Sequence, residues 1–215
     1  MTAKLLRMAS PDTHHITTPA QLAQLFGAVG EASIRKEVPH VHPHYRAMIE
    51  ASPFAVLATS GPGGLDASPR GDAAGFVVVE NPTTLLLPER RGNNRVDSLH
   101  NLVTDPRVAL LFLIPGVGET LRVNGRAVIS VEPALLQRFV VNGQPPRCVL
   151  VVTVEAVYFQ CARALQRSGL WQAVPPERPA KVPTPGTILS ALTDAAIDAQ
   201  QYDSELPARQ RNTLY

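Results

Sequence analysis

Apolar positions near the start of the chain recur at helical spacing. After Thr18-Pro19-Ala20, the residues Leu22, Leu25 and Phe26 form one stripe, and Gly27 stops it. This predicts a short helix with that stripe buried. Residues Val38 to Pro43 show no period and read as a loop. Tyr45 to Glu50 reads as a second short helix, ended by Ser52-Pro53. The first dozen residues carry no pattern and are expected to be mobile.

From Phe54 the spacing changes to that of strands. Phe54 to Thr59 is a short apolar run, closed by Gly61-Pro62-Gly63-Gly64 and returning through Asp66 to Arg70. Gly75 to Glu80 is rich in β-branched residues, and Asn81-Pro82 turns it into Thr83 to Leu87. Gly92-Asn93-Asn94 opens a helix from Arg95 to Thr104, with Asn94 as N-cap, Asp97 in its first turn, and Leu99, Leu102 and Val103 on its buried side. Val108 to Ile114 is almost continuously apolar and predicts a strand buried on both faces. Asn124-Gly125 is a hairpin signal between Leu121-Arg122-Val123 and Arg126 to Val131. Pro133 to Val140 reads as a helix, and Cys148 to Phe159 as a long alternating strand.

About six or seven strands at short spacing, with helices inserted, predict a mainly β antiparallel barrel rather than a doubly wound nucleotide fold. Past Trp171 the grain changes again. Pro175, Pro176, Pro179, Pro183 and Pro185 make an extended arm. Thr187 to Ala199 follows as a helix whose apolar face (Ile188, Leu189, Leu192, Ile197) packs either on a partner subunit or on its own barrel.

Composition narrows the picture little. The 215 residues suffice for a real core, and the 20 prolines with 5% aromatics agree with many turns. A net charge of +2 does not argue for nucleic acid. No apolar run approaches the roughly 20 residues of a membrane span, and Lys4, Arg7 and Asp12 interrupt any secretory segment, so a cytoplasmic location is expected. Cys148 and Cys161 are too few for a disulfide framework.

Chemistry concentrates between Ser68 and Arg126, where arginines recur beside Gly, Asn and Ser at the edges of apolar runs. Arg90-Arg91-Gly92-Asn93-Asn94-Arg95 precedes a helix, where an anion is favoured, and Ser98 adds a hydroxyl one turn on. The same residues also suit a solvated basic loop. Arg70 raises the phosphate reading, because it supplies a second cation on the same scaffold. Arg122 and Arg126 flank Asn124-Gly125 and reach either a ligand or surface acids such as Glu119. Cys161 has no base beside it, and Trp171 suits a core or interface anchor. His40, His42 and His44 alternate as zinc ligands would on a strand, but Pro39 and Pro43 favour a polar loop. No Gly-x-Ser-x-Gly, Walker loop, Cys-x-x-Cys or His-Glu-x-x-His is present, so any reaction falls to a bound cofactor.

Over about residues 45 to 171 the chain resembles the FMN-binding split-barrel flavoproteins related to pyridoxamine 5'-phosphate oxidase. The resemblance rests on Phe54 to Thr59, Ser68-Pro69-Arg70-Gly71-Asp72, Leu86-Leu87-Pro88, Gly92-Asn93-Asn94-Arg95, Asp105-Pro106-Arg107-Val108 and Thr120 to Gly125. It implies an α+β antiparallel split β-barrel with an N-terminal helical segment (1–53) packing on it, the FMN-binding barrel at 54–171, and an arm with a C-terminal helix at 172–215. It also implies a homodimer with FMN at the interface. By the resemblance, Ser68, Arg70, Asn93, Asn94, Arg95 and Ser98 hold the phosphate, and Arg122, Arg167 and Trp171 complete the cofactor set. The oxidases carry a Ser/Thr-Arg-Lys run before the helix and an Arg-x-His segment near the end. Here Asn93-Asn94-Arg95 stands near the first with different spacing, and Asn212-Thr213-Leu214-Tyr215 holds no such pair. Efficient oxidation of pyridoxamine 5'-phosphate is therefore not expected. The expected role is an FMN-dependent oxidoreductase of an unknown small molecule. The alternatives are a non-catalytic flavin or deazaflavin carrier or sensor, and a metal-binding module built on the histidine run.

Overall fold

The structure, a computed structural model, describes residues 14–173, 179 and 181–215. The first dozen residues, and Pro175 and Pro176 of the arm, lie outside the described residues. The chain forms two compact units, Met1–Lys36 and Glu37–Tyr215. In the first, α1 (Pro19–Phe26) opens on a capping box between Thr18 and Gln21, ends at Gly27 with φ 71°, and is followed by α2 (Glu31–Arg35). Leu22, Leu25 and Phe26, expected to be buried, are exposed. Two short helices supply too little apolar surface to enclose the stripe.

The second unit holds α3 (Pro43–Ala51), β1 (Phe54–Gly61), β2 (Gly64–Gly71), β3 (Val78–Asn81), β4 (Thr84–Glu89), α4 (Asp97–Thr104), β5 (Arg107–Leu113), β6 (Thr120–Ser130), α5 (Pro133–Gln137), β7 (Cys148–Gln160), α6 (Arg163–Ser168), α7 (Pro185–Leu192) and α8 (Ala199–Asn212). Its strands make one antiparallel sheet in the order β2-β1-β5-β6-β7-β4-β3. The end strands β2 and β3 do not pair with each other, so the sheet is a split barrel rather than a closed one. The inward residues Leu57, Leu85, Leu87, Leu110, Phe112, Leu121, Val123 and Val152 are fully buried, with Ile49 of α3 among them. No helix among the described residues is long and apolar enough to cross a membrane.

Three local expectations give way to tertiary context. The strand buried on both faces is β4, where Leu85 and Leu87 enter the main core and Leu86 a smaller one with Phe139 and Val149. In β5, Ala109, Leu111 and Leu113 are only half-buried on the outward face. The Asn124-Gly125 hairpin does not form. The 11-residue β6 runs straight through it, paired with β5 on one side and β7 on the other. The register to β7 slips there: Asn124 lies opposite Ala156 and Gly125 opposite Val154, so Glu155 is passed over. A Cβ on Gly125 would run into the Thr153 carbonyl, which explains the glycine without a turn. Last, the helix expected over Thr187 to Ala199 stops at Leu192, because Asp194 and Ala195 take φ of 50° and 61°. A separate helix, α8, then folds back, and Asp203 accepts the Gly186 N–H at 2.7 Å.

The split is bridged by side chains. On β2, Asp66, Ser68 and Arg70 lie opposite Thr59, Leu57 and Ala55, all buried, so these polar residues face the core side. Asp72 continues the alternation. Arg70 Nε lies 2.7 Å from Glu89 Oε1 on β4, and Arg90 Nε lies 2.8 Å from Asp72 Oδ2. These pairs tie one end strand to the strand beside the other end. The Tyr215 hydroxyl donates to Asp72 Oδ1 at 2.9 Å, and its ring faces the Arg90 guanidinium at 5.6 Å. Burial pushes the Asp72 carboxyl up, but the Ala73 N–H, the Tyr215 hydroxyl and Arg90 outweigh it and hold it below its ordinary value of 3.8.

A folded-state value below the unfolded one adds stability above the unfolded value and loses it as pH falls through the folded one. Asp72→Asn leaves Arg90 charged and unmatched at a largely buried site, and is expected to cost about 3 kcal/mol at neutral pH. Urea unfolding will show the gap to wild type narrowing below about pH 4. A gap of equal size at pH 7 and pH 3 contradicts a charge-based role. Gly125→Ala is expected to cost about 2 kcal/mol or more, because the new methyl meets backbone rather than a movable side chain. The same unfolding measurement checks it.

Candidate functional site

The seam between β2 and β4 carries the densest polar chemistry among the described residues. α4 is held over it by one buried amide. Asn101 Nδ2 donates to Thr59 Oγ1 and to the Gly64 carbonyl, both at 3.2 Å. Gly61 makes room, since a Cβ there would overlap Asn101. The buried side of α4 is Ser98, Asn101 and Leu102, while Val103, expected inside, is exposed. Helical periodicity is intact, but two of its three inward positions are polar.

This packing delivers Ser98 to the polar face of β2. The Ser68 and Ser98 hydroxyl oxygens lie 2.8 Å apart. Both hydroxyls donate to Asp66 Oδ2, Ser68 at 2.9 Å and Ser98 closer. Arg70 Nη1 donates to Ser68 Oγ at 2.9 Å, and Nη2 reaches Ser98 Oγ at 3.4 Å. The Arg70 Nε contact with Glu89 fixes the plane of the guanidinium. Two hydroxyls therefore converge on one anionic oxygen, supplied here by Asp66, and the Arg70 guanidinium donates to both hydroxyl oxygens. A groove of about 480 Å³ opens beside it, lined by Gly64, Asp66, Arg95, Asp97, His100 and Asn101 among others.

Electrostatics divide the seam by depth. Burial pushes the Glu89 carboxyl up, by more than Arg70 pulls it down. Cys148, opposite Glu89 on β7, is pushed up to about 11 by burial and by the Glu89 charge, against the pull of Arg70. Its thiol stays protonated and unreactive at neutral pH. At the rim, Arg95 Nε lies 2.6 Å from Asp97 Oδ2 on largely exposed side chains. That hydrogen bond, with the Asp97 charge and a smaller contribution from Asp66, raises the Arg95 guanidinium further.

Of the residues singled out from sequence, the structure brings together Ser68, Arg70 and Ser98, with Arg95 at the rim. Asn94 does not cap α4. It takes φ of 61°, and the cap position is Val96, with no side-chain hydrogen bond. Asn93 Oδ1 instead accepts the Arg95 N–H at 3.0 Å and shapes the approach to the helix. Arg122 and Arg126 stand on the one strand β6, not on two arms of a hairpin. Arg122 lies on the outward face, opposite half-buried Leu111, and donates to the Tyr158 hydroxyl at 2.8 Å. Trp171 Nε1 donates to the Val117 carbonyl at 2.8 Å, anchoring the segment after α6 to the β5–β6 turn. Arg167 is exposed at the end of α6. Within one chain these three stand apart from the Ser68–Ser98 cluster. Cys161 is exposed, and His42 Nδ1 is taken up by the His44 N–H at 3.3 Å. Among the described residues no three His, Cys, Asp or Glu side chains stand together as metal ligands.

Periodicity passed over Asp66, Glu89 and Asn101. The signal for the first was present: Asp66, Ser68, Arg70 and Asp72 alternate on a single strand face. Nothing local marks Glu89 or Asn101, whose roles depend on the distant strands they meet.

No curated protein matches the chain by sequence. Similar folds include HupZ of Group A Streptococcus (17% identity, TM-score 0.46, spanning 56% of this chain and 94% of that one). An FMN-binding protein of Syntrophomonas wolfei (13%, 0.41, 53% and 82%) and a FAD-binding protein of Mesorhizobium loti (15%, 0.37, 53% and 87%) are also similar. The family model described as pyridoxamine 5'-phosphate oxidase matches residues 41–161, more than half of the sequence. The chain belongs to the pyridoxamine 5'-phosphate oxidase family.

Proposed function

We propose that the chain binds FMN as a homodimer and works as a flavin-dependent oxidoreductase on a small molecule. The observation that carries this reading is the meeting of the Ser68 and Ser98 hydroxyls on one anionic oxygen, with the Arg70 guanidinium donating to both hydroxyl oxygens. That donor set suits a phosphate monoester: two neutral donors and one fixed cation, with charge-assisted bonds. The start of α4 lies beside it without a side-chain cap, so its first-turn N–H groups and dipole add to the pull on an anion. Asp66 opposes a second anion at the same point. It must release the two hydroxyls, by turning into the adjoining groove, before phosphate takes them.

In this reading Ser68 and Ser98 donate to the phosphate, Arg70 offsets its charge while Glu89 keeps the guanidinium in plane, and Arg95 screens it from the rim. Asn93 and Asn94 set the backbone path that leads into α4. A bound flavin supplies hydride or electron transfer. The outward face of β1 and β5 supports the dimer: Val56 lies opposite Leu111, both half-buried, with Leu113 and Phe54 alongside. Arg122, Arg167 and Trp171 are assigned to the cofactor site through that second copy.

The purified protein is expected to be yellow and to release FMN on denaturation. Ser98→Ala is expected to weaken FMN binding about tenfold, since hydrogen bonds to charged groups contribute about 1.5–3 kcal/mol. Asp66→Asn removes a like charge while keeping the side-chain shape, and is expected to tighten binding about tenfold or more. Flavin fluorescence titration reads both constants. If neither variant moves the dissociation constant, the phosphate does not sit here. Reduction of the bound flavin by a nicotinamide donor separates turnover from storage. Light scattering at micromolar concentration is expected to give a dimeric mass, and a monomeric mass rules that part out.

A further inference from the structure

Charge is out of balance where an anion would sit. Arg90 is matched by Asp72, and Arg95 by Asp97. That leaves Arg70 between two carboxylates. Glu89 takes its Nε, and Asp66 lies beyond the two hydroxyls that its Nη groups reach. The cluster is therefore one negative charge in excess before any anion arrives. A dianion added to it would set three acidic groups around one guanidinium, in a seam where Arg70 and Glu89 are largely buried. Like charges repel several times more strongly there than in water.

The two carboxylates have different ways out. Asp66 lines the groove of about 480 Å³ and can turn into it. Glu89 does not line that groove. It lies on the inward face of β4, in step with fully buried Leu85 and Leu87, and is itself 9% exposed. The groups around it are few. Arg70 meets it from β2, and the Cys148 thiol stands opposite on β7. α4 meets Arg70 through Ser98, which carries no charge. Arg90, the next residue, is taken up by Asp72. Arg70 is the charge that holds Glu89 toward the carboxylate, against burial, which acts more strongly the other way. A neutral Glu89 keeps its mechanical role. Its carbonyl oxygen still accepts the Arg70 Nε–H, so the fork stays aimed while its full charge turns to the anion.

We propose that Glu89 takes up a proton from solvent when an anion seats on the Ser68 and Ser98 hydroxyls, and returns it when the anion leaves. Arg70 transmits the exchange, because one guanidinium serves both ends. Glu89 is thus a positioning residue that sets how the affinity of the site depends on pH. This role rests on the Ser68–Ser98 cluster being an anion seat, and does not require that the anion be FMN. The sign follows from linkage. Binding that favours the protonated form raises the Glu89 value in the bound state. Affinity is then highest below the free-state value, which already lies above the ordinary 4.5. It falls as pH rises toward the bound-state value and levels off beyond it.

The test compares FMN affinity in wild type and Glu89→Gln, read by flavin fluorescence between about pH 5 and pH 9. The FMN phosphate titrates in both and cancels in the ratio of the two constants. That ratio is expected to change with pH, wild type losing up to about tenfold per pH unit relative to the variant. Calorimetry in two buffers of different ionisation enthalpy is expected to count more protons taken up per FMN in wild type. A ratio that does not change with pH, or equal proton counts, overturns the proposal and leaves Glu89 a purely mechanical support. Should Glu89→Gln fail to fold, sulfate decides on wild type alone. Sulfate is a dianion that takes up no proton in this range and has no carbonyl. Infrared difference spectra at neutral pH are expected to show a carboxylic-acid carbonyl band as sulfate binds, and its absence at saturating sulfate overturns the proposal. A protein that shows this band but takes up no FMN refutes the flavin reading alone. Failure to bind either anion overturns both.

Discussion

The polar face of β2 is the constraint on which the rest of the second unit depends. An antiparallel sheet that closes on itself satisfies its edges with backbone hydrogen bonds. This one does not close, so its first and last strands must be held by other means. Asp66, Ser68, Arg70 and Asp72 do this from one side of a single strand. They meet Ser98 of α4, Glu89 of β4, and Arg90 just beyond it. Each contact satisfies a polar group that would otherwise be costly to enclose, and no buried side-chain nitrogen or oxygen among the described residues lacks a partner. The outward residues of the same strand show the inversion. Leu65 is 90% exposed, while its polar neighbour Asp66 points inward.

That inversion marks where sequence reading succeeds and where it stops. β1, β5 and β7 were legible as strands because each is an apolar run, alternating in β7, bounded by turn residues, although the run in β5 misled as to its outward face. For β2 the strand itself was legible, but its facing was not. Alternation fixes which residues share a face, and the usual assumption sends the polar face to water. Only the open barrel, with β4 across the gap, makes the polar face the inner one. Asn124-Gly125 failed for a related reason. Its hairpin preference is local and worth little against the ladders to β5 and β7 that flank it, and the glycine is required by the Thr153 carbonyl instead.

The candidate site was legible to the same depth. Ser68, Arg70 and Ser98 stood out because residue types that bind anions fell at the end of a strand and the start of a helix. Their convergence depends on Asn101, which reads as an ordinary helix residue until Thr59 and the Gly64 carbonyl are seen beneath it. Asn94 shows the opposite error. A favoured capping residue occurs at a favoured position, but its left-handed backbone carries the chain past the cap and delays the helix to Asp97. Propensity named the residue, and the path of the chain decided its use.

Arg70 has two duties that need not compete. Its Nε pairs with Glu89 across the split, and its two Nη groups turn toward the hydroxyls. The pairing that holds the barrel together is therefore what aims the donor edge of the fork. A guanidinium fixed on one side loses little freedom when an anion arrives on the other, so less of the interaction is lost to ordering. Burial favours the neutral form of Glu89, and the Arg70 charge holds it back toward the carboxylate. An anion drawn to Arg70 offsets part of that charge and so weakens its pull on Glu89. Anion binding at the hydroxyls thus moves the proton affinity of Glu89 upward, and the same physics that closes the split couples it to whatever the site holds.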